Sequence, residues 1–219
     1  MDSFKNKKTM KYKIITLIFF LFSSIMSNSA QDIYIQGGGT LADWAHLKKF
    51  EKQNEKLKRI DESNRVVFMG NSITEGWSNF DKDFFINNPF VNRGISGQTT
   101  PQMLIRFRPD VVNLNPKAVV ILAGINDIAG NTGPMSLENI AENIISMAEI
   151  AKANNIKVYI CSTLPAIDFP WSPGLEPGPK VIKLNSILKN YCDQNNITYV
   201  DYFTSMADDK GGLKVPEYT

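Results

Sequence analysis

Short apolar runs alternate with longer amphipathic segments along most of the chain. Five runs are short, uninterrupted and each followed by a loop that contains Gly or Asn, which is typical of buried strands. These runs are residues 66–69, 90–91, 118–122, 157–161 and 198–200. The sequence therefore predicts five strands, none of which shows the polar alternation of a half-exposed sheet.

The segments between these runs carry the three- and four-residue spacing of helices. After a capping Ser136, residues 137–154 present one apolar stripe, and residues 181–194 present a second. A third helix is predicted from a capping Thr40 through residue 57, with one face formed by Trp44, Leu47, Phe50, Asn54 and Leu57. Strands that alternate with helices favour right-handed parallel crossovers. They predict an α/β fold, a three-layer α/β/α sandwich around a mostly parallel five-stranded sheet.

The first thirty residues have the pattern of a signal peptide. Five lysines between positions 5 and 13 precede an uncharged apolar run at 14–22, and small residues follow up to Ala30, where we expect cleavage. Residues 31–39 then form a flexible lead-in, and one domain occupies 40–219. The alternative is an uncleaved anchor, but the run is shorter than the roughly 20 residues that span a bilayer. We expect an exported protein, periplasmic or extracellular, with no stable membrane span after leader removal.

Composition excludes several classes of partner and cofactor. With 24 Lys and Arg against 22 Asp and Glu, the chain lacks the basic excess that nucleic-acid binding requires. One histidine and two distant cysteines cannot supply a familiar metal site, so we expect no metal and no cofactor. Cys161 ends a strand and Cys192 lies on the apolar side of a helix. We predict two buried, unbridged thiols.

A proline-rich segment at 164–179 fits neither the strand nor the helix period. It contains five prolines together with Trp171. One interpretation is a stiff wall of a binding cleft, with Trp171 as a platform for an apolar group or a sugar. The other is a surface loop anchored by one aromatic side chain.

Polar residues follow three of the predicted strands, at the sheet edge where open parallel sheets bind ligands. Ser72 follows the first strand, Gly94 the second and Asn126 the third. Acyl transfer needs a nucleophile, such as a hydroxyl, and hydrogen-bond donors that point at the substrate oxygen on which negative charge develops. The Ser72 N–H, the Gly94 N–H and the Asn126 amide are candidates for these donors, and the predicted chemistry is acyl transfer.

These segments resemble the blocks of the SGNH, or GDSL-type, hydrolases, a family of serine esterases and lipases with a flavodoxin-like fold. The run from Val66 to Trp77, which contains Gly-Asn-Ser-Ile-Thr, is similar to the first block. Residues 92–97 are similar to the second block and residues 124–127 to the third. The resemblance implies that Ser72 is the nucleophile and that Ser72, Gly94 and Asn126 form the oxyanion hole. Asp127 is expected to brace the Asn126 loop.

Two positions depart from the family pattern. Asn71 replaces the usual Asp before the nucleophile, which keeps a hydrogen-bonding side chain and loses a charge. The family's base is a His in a C-terminal block, three residues after its orienting Asp, and residues near Thr219 contain no such block. The only histidine, His46, lies upstream of Ser72 and is interpreted as a surface residue. We therefore expect a member truncated before the Asp-x-x-His block, with impaired catalysis.

The leading hypothesis is an exported serine esterase that cleaves a small acyl ester, an acetylated carbohydrate or a lysolipid. A non-catalytic domain that binds carbohydrate or protein through the same cleft is the alternative. A flavodoxin-like nucleotide binder would share the sheet, but the sequence has no phosphate-binding loop of either common spacing.

Overall fold

The computed structural model describes residues 34–35 and 39–215. The predicted leader at 1–30 and most of the lead-in lie outside the described residues. Two short strands, β1 (Tyr34–Ile35) and β2 (Gly39–Thr40), pair antiparallel at the start of the described chain. The main sheet begins 26 residues after Thr40, at Val66.

Five parallel strands form the central sheet. They are β3 (Val66–Gly70), β4 (Phe90–Gly94), β5 (Ala118–Leu122), β6 (Lys157–Cys161) and β7 (Thr198–Val200). Their order across the sheet is β4-β3-β5-β6-β7, and every pairing is parallel. The prediction of a parallel five-stranded α/β sheet is confirmed. The order reverses direction after β4, so right-handed crossovers place helices on both faces.

Eight α-helices flank the sheet within residues 34–35 and 39–215. They are α1 (Glu51–Leu57), α2 (Ser72–Phe80), α3 (Lys82–Ile86), α4 (Thr100–Asp110), α5 (Ile125–Ile128), α6 (Leu137–Ala153), α7 (Pro177–Asn195) and α8 (Tyr202–Met206). A 3₁₀ turn, Val112–Leu114, follows α4. Helices α4 and α7 both pack against α6, and α2 packs with α3. The crossover that contains α2 and α3 runs across the sheet in one direction, and the crossovers that contain α4, α6 and α7 run in the other. The two groups of helices therefore cover opposite faces of the sheet.

Helices α6 and α7 form where the apolar stripes predicted them. Ser136 caps α6 by accepting a hydrogen bond from the Asn139 N–H at 3.1 Å, and its stripe is buried against the sheet. Helix α7 starts four residues earlier than the pattern indicated, at Pro177. Proline is favoured in the first helical turn because its missing N–H would have no helical partner there.

The predicted helix from Thr40 to residue 57 is wrong in its first half. Residues 41–50 form turns and bends, and α1 starts only at Glu51. The Asp43 carboxylate accepts hydrogen bonds from the N–H groups of Leu47 at 2.7 Å and Lys48 at 3.1 Å. His46 has a φ of 56°, in the left-handed region that a helix excludes. Local side-chain hydrogen bonding thus competes with the helical backbone in this segment.

An aromatic cluster holds α2 and α3 on the sheet. The Phe68 ring on β3 contacts the rings of Trp77, Phe84, Phe85 and Phe90 with centroid separations of 5.3 to 5.6 Å. Trp77 and Phe84 stack at 4.6 Å. Since such pairs add about 0.5–1.5 kcal/mol each beyond their buried area, the cluster fixes the helix that carries Ser72.

Both cysteines are buried and free, which confirms the prediction of two unbridged thiols. Burial raises the pKa of Cys161 to about 12 and that of Cys192 to about 11. At neutral pH both side chains are therefore protonated thiols.

Truncation of Ile144 on α6 should destabilise the fold, because this side chain is 1% exposed at the centre of the buried stripe. We expect Ile144→Ala to lower the free energy of unfolding by about 2–5 kcal/mol. The exposed Glu142 on the same helix is the matched control, and Glu142→Ala should change it by less than about 0.5 kcal/mol. Equilibrium denaturation measures both, and equal effects would contradict the assigned burial.

Candidate active site

The carboxyl ends of three neighbouring strands are in register. Gly70 at the end of β3 lies opposite Gly94 at the end of β4 and opposite Leu122 at the end of β5. Neighbouring strands in a sheet are about 4.8 Å apart. The three predicted segments therefore leave the sheet side by side.

Ser72 is the first residue of α2, and its side chain is exposed. Asn71 caps the helix and accepts a hydrogen bond from the Ile73 N–H at 3.0 Å, while its own side chain is almost fully buried. Gly70 is required by space, because a Cβ there would lie 2.0 Å from Thr74 Oγ1. The chain thus turns directly from strand to helix, and the Ser72 hydroxyl stands beside backbone N–H groups that have no partner within the helix.

Gly94 packs beneath this helix. A Cβ at Gly94 would lie 2.1 Å from the Glu75 backbone nitrogen, so only glycine fits. The Gly94 N–H donates to Asn92 Oδ1 at 2.8 Å. The Asn92 amide also donates to the Thr74 carbonyl and the Ser78 hydroxyl. The Gly94 N–H, which the sequence analysis assigned to the oxyanion hole, is thus hydrogen bonded to a side chain of its own strand, and that assignment stays a prediction.

Gly97 lies on the loop after β4, with a φ of 76°. Its carbonyl accepts a hydrogen bond from Asn131 Nδ2 at 3.0 Å, and the next carbonyl, that of Gln98, accepts one from Asn126 Nδ2 at 2.9 Å. Among residues 39–215 the Gly97 N–H has no hydrogen-bond acceptor. Sequence reasoning missed this residue, although the Ser-Gly pair after the second strand was a signal for a left-handed turn.

Asn126 lies on the short helix α5 and is 4% exposed. Its amide has two N–H groups, of which one is used by the Gln98 carbonyl. The preceding Gly124 has a φ of 106°, and a side chain there would also meet Leu184 at 2.7 Å. The turn that presents Asn126 therefore depends on a glycine.

Glu75 links the helix of Ser72 to the loop that contains Gly97. Its carboxylate accepts a hydrogen bond from the Ser96 N–H at 2.7 Å and another from the Ser96 hydroxyl, and it forms an ion pair with Lys49. Burial raises the pKa of Glu75, but the hydrogen bonds from Lys49 and Ser96 outweigh burial, and the net pKa is below its usual range. The loop is consequently held by a carboxylate one turn along the helix that begins at Ser72.

Arg106 on α4 is fully buried directly beneath this edge of the sheet. It donates to the Gly70 carbonyl at 3.1 Å, the Arg93 carbonyl at 2.8 Å and Gln98 Oε1 at 2.5 Å. Asp110 pairs with it at 3.0 Å. Burial lowers the pKa of Arg106 to about 10, so the guanidinium remains charged at neutral pH. One cation thus connects the ends of β3 and β4 to the loop after β4.

A second buried arginine extends the same network. Arg93 donates to Asn54 Oδ1 at 2.7 Å, and Asn54 Nδ2 donates to Asp110 Oδ1 at 2.7 Å. The Arg93 guanidinium also lies 4.5 Å from the centroid of the Phe50 ring. Asp110 therefore forms an ion pair with Arg106 directly and is linked to Arg93 by hydrogen bonds through Asn54.

Asp127 joins the Asn126 loop to the start of α4. Its carboxylate accepts hydrogen bonds from the Thr100 N–H at 2.9 Å and the Thr100 hydroxyl at 2.6 Å. Burial raises the pKa of Asp127 to about 6 in spite of these bonds. This geometry fits a role as a brace.

His46 is partly buried, whereas the sequence suggested a surface residue. Asp43 precedes it by three residues, which is the spacing of the family's Asp-x-x-His block. The Asp43 oxygens, however, accept hydrogen bonds from backbone N–H groups, and His46 Nδ1 has no partner among the described residues. Burial and the nearby Lys49 lower the pKa of His46. The orienting bond of a His–Asp pair is therefore absent from this segment.

Trp171 lies in the proline-rich loop and is 56% exposed. Its ring packs at 5.1 Å on Phe169, which is buried. Asp168 holds the loop by accepting hydrogen bonds from the N–H groups of Phe169 and Gly174, both at 2.9 Å. The loop is thus fixed at the buried Phe169, and the indole of Trp171 remains exposed.

Within residues 34–35 and 39–215, no group of three or more His, Cys, Asp or Glu side chains could hold a metal ion. No helix of the described segments has the length and apolarity to cross a membrane.

Comparison with known proteins supports the fold and identifies the family. Residues 68–216 match the model of the GDSL-like lipase/acylhydrolase family, more than half of the chain. A candidate acylhydrolase from Bacteroides fragilis is 50% identical, with a TM-score of 0.78 over 81% of this chain and 86% of that one. A GDSL-like lipase from Bacteroides thetaiotaomicron is 46% identical, with a TM-score of 0.76 over 80% of this chain and 86% of that one.

The chain is also 33% identical over 120 residues to YqeF, an uncharacterised lipoprotein of Bacillus subtilis. That match covers 47% of this chain and 49% of the relative, so the chain spans about half the length of this relative. The family match begins within β3 and includes Ser72, Gly94, Gly97, Asn126 and Asp127. The protein belongs to the GDSL-like lipase/acylhydrolase family, a family of ester hydrolases.

Loss of the Arg106 guanidinium should be strongly destabilising, because it leaves Asp110 and two strand-end carbonyls without their buried partner. We expect Arg106→Met to cost about 3–5 kcal/mol in the free energy of unfolding. The exposed Arg108 on the same helix provides the control, and Arg108→Met should have little effect. Urea denaturation of both variants decides this, and similar costs would show that the buried network is unimportant.

The raised pKa of Asp127 predicts a pH dependence of stability. A carboxyl whose pKa rises from 3.8 to about 6 on folding binds its proton more tightly in the folded state. Its contribution to stability is therefore greatest below about pH 4 and declines as the pH rises to about 6. We expect Asp127→Asn to remove this decline. Denaturation of both proteins at pH 4 and pH 7 tests this prediction. The prediction is refuted if the free energies of unfolding of the parent and Asp127→Asn differ by the same amount at both pH values.

Proposed function

We propose that this protein is an exported serine esterase that forms an acyl-enzyme on Ser72. The observation that carries the proposal is the exposed Ser72 hydroxyl at the start of α2, where three strand ends meet in register. Attack of the Ser72 oxygen on an ester carbonyl forms a tetrahedral oxyanion. The proton of the Ser72 hydroxyl passes to water. Collapse of the intermediate breaks the ester C–O bond, and the leaving alkoxide takes up a proton from water to become the alcohol. A water molecule then hydrolyses the acyl-serine bond, which releases the acid and restores the Ser72 hydroxyl.

The oxyanion would be bound by the Ser72 N–H, by the second N–H of the Asn126 amide and by a third donor from the loop after β4. The sequence suggested Gly94 for this donor. We favour the Gly97 N–H, because the Gly94 N–H donates to Asn92, while the carbonyl of the residue after Gly97, Gln98, accepts a hydrogen bond from Asn126. Donors fixed before the reaction stabilise developing charge without reorganisation.

Asn71 and Asp127 would support these donors. Asn71 caps the helix of Ser72, and Asp127 fixes the loop that carries Asn126. The neutral Asn71 in place of an acid keeps a formal negative charge away from the developing oxyanion. This difference favours anion binding at the helix start.

We further propose that turnover by residues 1–219 is slow. A serine nucleophile requires a base, and the only histidine of this sequence is His46, whose neighbouring Asp43 bonds to backbone instead. Triad-deficient serine hydrolases retain roughly 10³ to 10⁴-fold acceleration over water, from the oxyanion hole and substrate binding. The same observation supports the second candidate, a domain that binds an ester-bearing ligand without cleaving it.

The substrate proposed is a small acyl ester, either an acetylated carbohydrate or a lysolipid. The exposed Trp171 ring, fixed on Phe169, would form a wall for the sugar or the acyl chain. Export is supported by the cationic and apolar pattern of residues 1–30 and by the similarity to a lipoprotein, YqeF.

Substitution of Ser72 tests the mechanism directly. After incubation with p-nitrophenyl acetate we expect mass spectrometry to detect an acetyl group on Ser72, which Ser72→Ala abolishes and Ser63→Ala, at an exposed serine outside the site, leaves unchanged. His46→Ala should leave this acetylation unchanged. Equal acetylation of the parent and Ser72→Ala would exclude the acyl-enzyme. If Ser72→Ala binds an acetylated oligosaccharide as tightly as the parent does, and neither protein hydrolyses it, the second candidate, a binding domain, is favoured.

A further inference from the structure

A cavity of about 700 Å³ lies along the outer edge of β4, away from Ser72. All five residues of β4 line its floor. One wall comes from α1 and its flanking residues, and the other comes from Glu75, Ser78 and Asn79 on α2. Neither Gly97 nor Asn126 contributes to it. The cavity is therefore a trench separate from the proposed catalytic groups, and we call it the β4 trench.

The parallel pairing with β3 decides which backbone groups of β4 face the trench. At one end of the pair the Val66 N–H donates to the Pro89 carbonyl at 2.9 Å, and at the other the Ile95 N–H donates to the Gly70 carbonyl at 3.1 Å. In a parallel pair these bonds recur at alternate residues. Positions 91 and 93 therefore direct their backbone groups to β3, and positions 90, 92 and 94 direct theirs outward.

Two of the six outward groups are used internally. Arg93 donates to the Asn92 carbonyl at 2.7 Å, and the Gly94 N–H donates to the Asn92 side chain. The Phe90 N–H, the Phe90 carbonyl, the Asn92 N–H and the Gly94 carbonyl have no partner within residues 39–215. Such an open edge offers the hydrogen bonds that an added strand would satisfy.

The side chains of the trench indicate what kind of strand fits. The walls and floor are largely apolar, with Phe50, Leu57, Ile60, Phe90 and Val91 among the lining residues. Lys56 is an exposed cation on the same lining, and it has no ion pair among the described residues. An occupant with alternate apolar side chains and one carboxylate would match both features.

Lys56 can be placed along the strand. Arg65, which directly precedes β3, donates to the carbonyls of Leu57 at 3.0 Å and Ile60 at 2.9 Å. The end of α1 therefore lies at the amino end of β3, where Val66 pairs with Phe90. Lys56, one residue before Leu57, consequently lies near the Phe90 end of the trench.

We propose that the β4 trench is a docking site for an extended peptide segment of another protein. The segment adds a sixth strand beside β4 through the Phe90 N–H and carbonyl, the Asn92 N–H and the Gly94 carbonyl. Its alternate apolar side chains enter the trench, and an acidic residue pairs with Lys56. A strand of about five residues spans roughly 17 Å, the length of β4 itself.

Two fluorescein-labelled hexapeptides test the proposal, Asp-Val-Thr-Val-Thr-Val and its reverse, which place the acid at opposite ends. We expect at least one to bind saturably by fluorescence anisotropy and to shift the amide resonances of Phe90 and Asn92 in ¹⁵N spectra. The same peptides with alternate amides N-methylated keep their side chains but cannot form the ladder. They should bind at least about tenfold more weakly.

Two variants with matched controls locate the site. Asn79→Trp fills the trench from the α2 wall and should weaken binding by at least about tenfold, whereas Glu142→Trp, on the remote α6, should not. Lys56→Glu should weaken binding of the acidic peptide several-fold at low salt, and Lys52→Glu, on the same helix but outside the lining, should not. Circular dichroism verifies that each variant is folded.

Several results would overturn the proposal. One is the absence of saturable binding of either peptide up to about 1 mM. Another is equal binding of the N-methylated and the unmodified peptides, and a third is a set of resonance shifts confined to Ser72 and Asn126. Unchanged binding to both Asn79→Trp and Lys56→Glu would do the same. None of these measurements depends on catalysis, so the outcome is independent of whether Ser72 hydrolyses an ester.

Discussion

The buried guanidinium of Arg106 is the constraint on which this site depends. It donates to the carbonyls that end β3 and β4 and to the side chain of Gln98, and Asp110 balances its charge. A buried charge is tolerated only when its hydrogen-bonding groups are satisfied, and the low local dielectric strengthens each bond. The strand ends and the following loop must therefore keep one relative position if the cation is to remain paired.

Close backbone packing complements this electrostatic constraint from the other side. Gly94 allows the backbone of α2 to approach β4, and Glu75 on the same helix holds Ser96. The helix that carries Ser72 is thus joined both to the strand below and to the loop beside it. Precise placement of a nucleophile and its donors requires this kind of supporting contact, because a displacement of about 1 Å can cost roughly 10²-fold in rate.

The sequence predicted the centre of the sheet well, because β3 and β5 are continuous apolar runs that are largely buried. It predicted Ser72 and Asn126 at adjacent strand ends through the same logic. It failed at residues 41–50, where the bonds of the Asp43 side chain override the apolar spacing. Arg106 was missed because an arginine within a helix usually faces solvent, and only the tertiary structure shows that it is buried.

The two thiols of the core have a consequence for a protein that we propose to be exported. Cys161 and Cys192 are buried and protonated, on neighbouring elements of the far half of the sheet. Oxidants act on exposed thiolates, so neither sulfur reacts with them in the native molecule. Oxidation found at either cysteine would therefore show that this part of the molecule had unfolded transiently, during or after secretion.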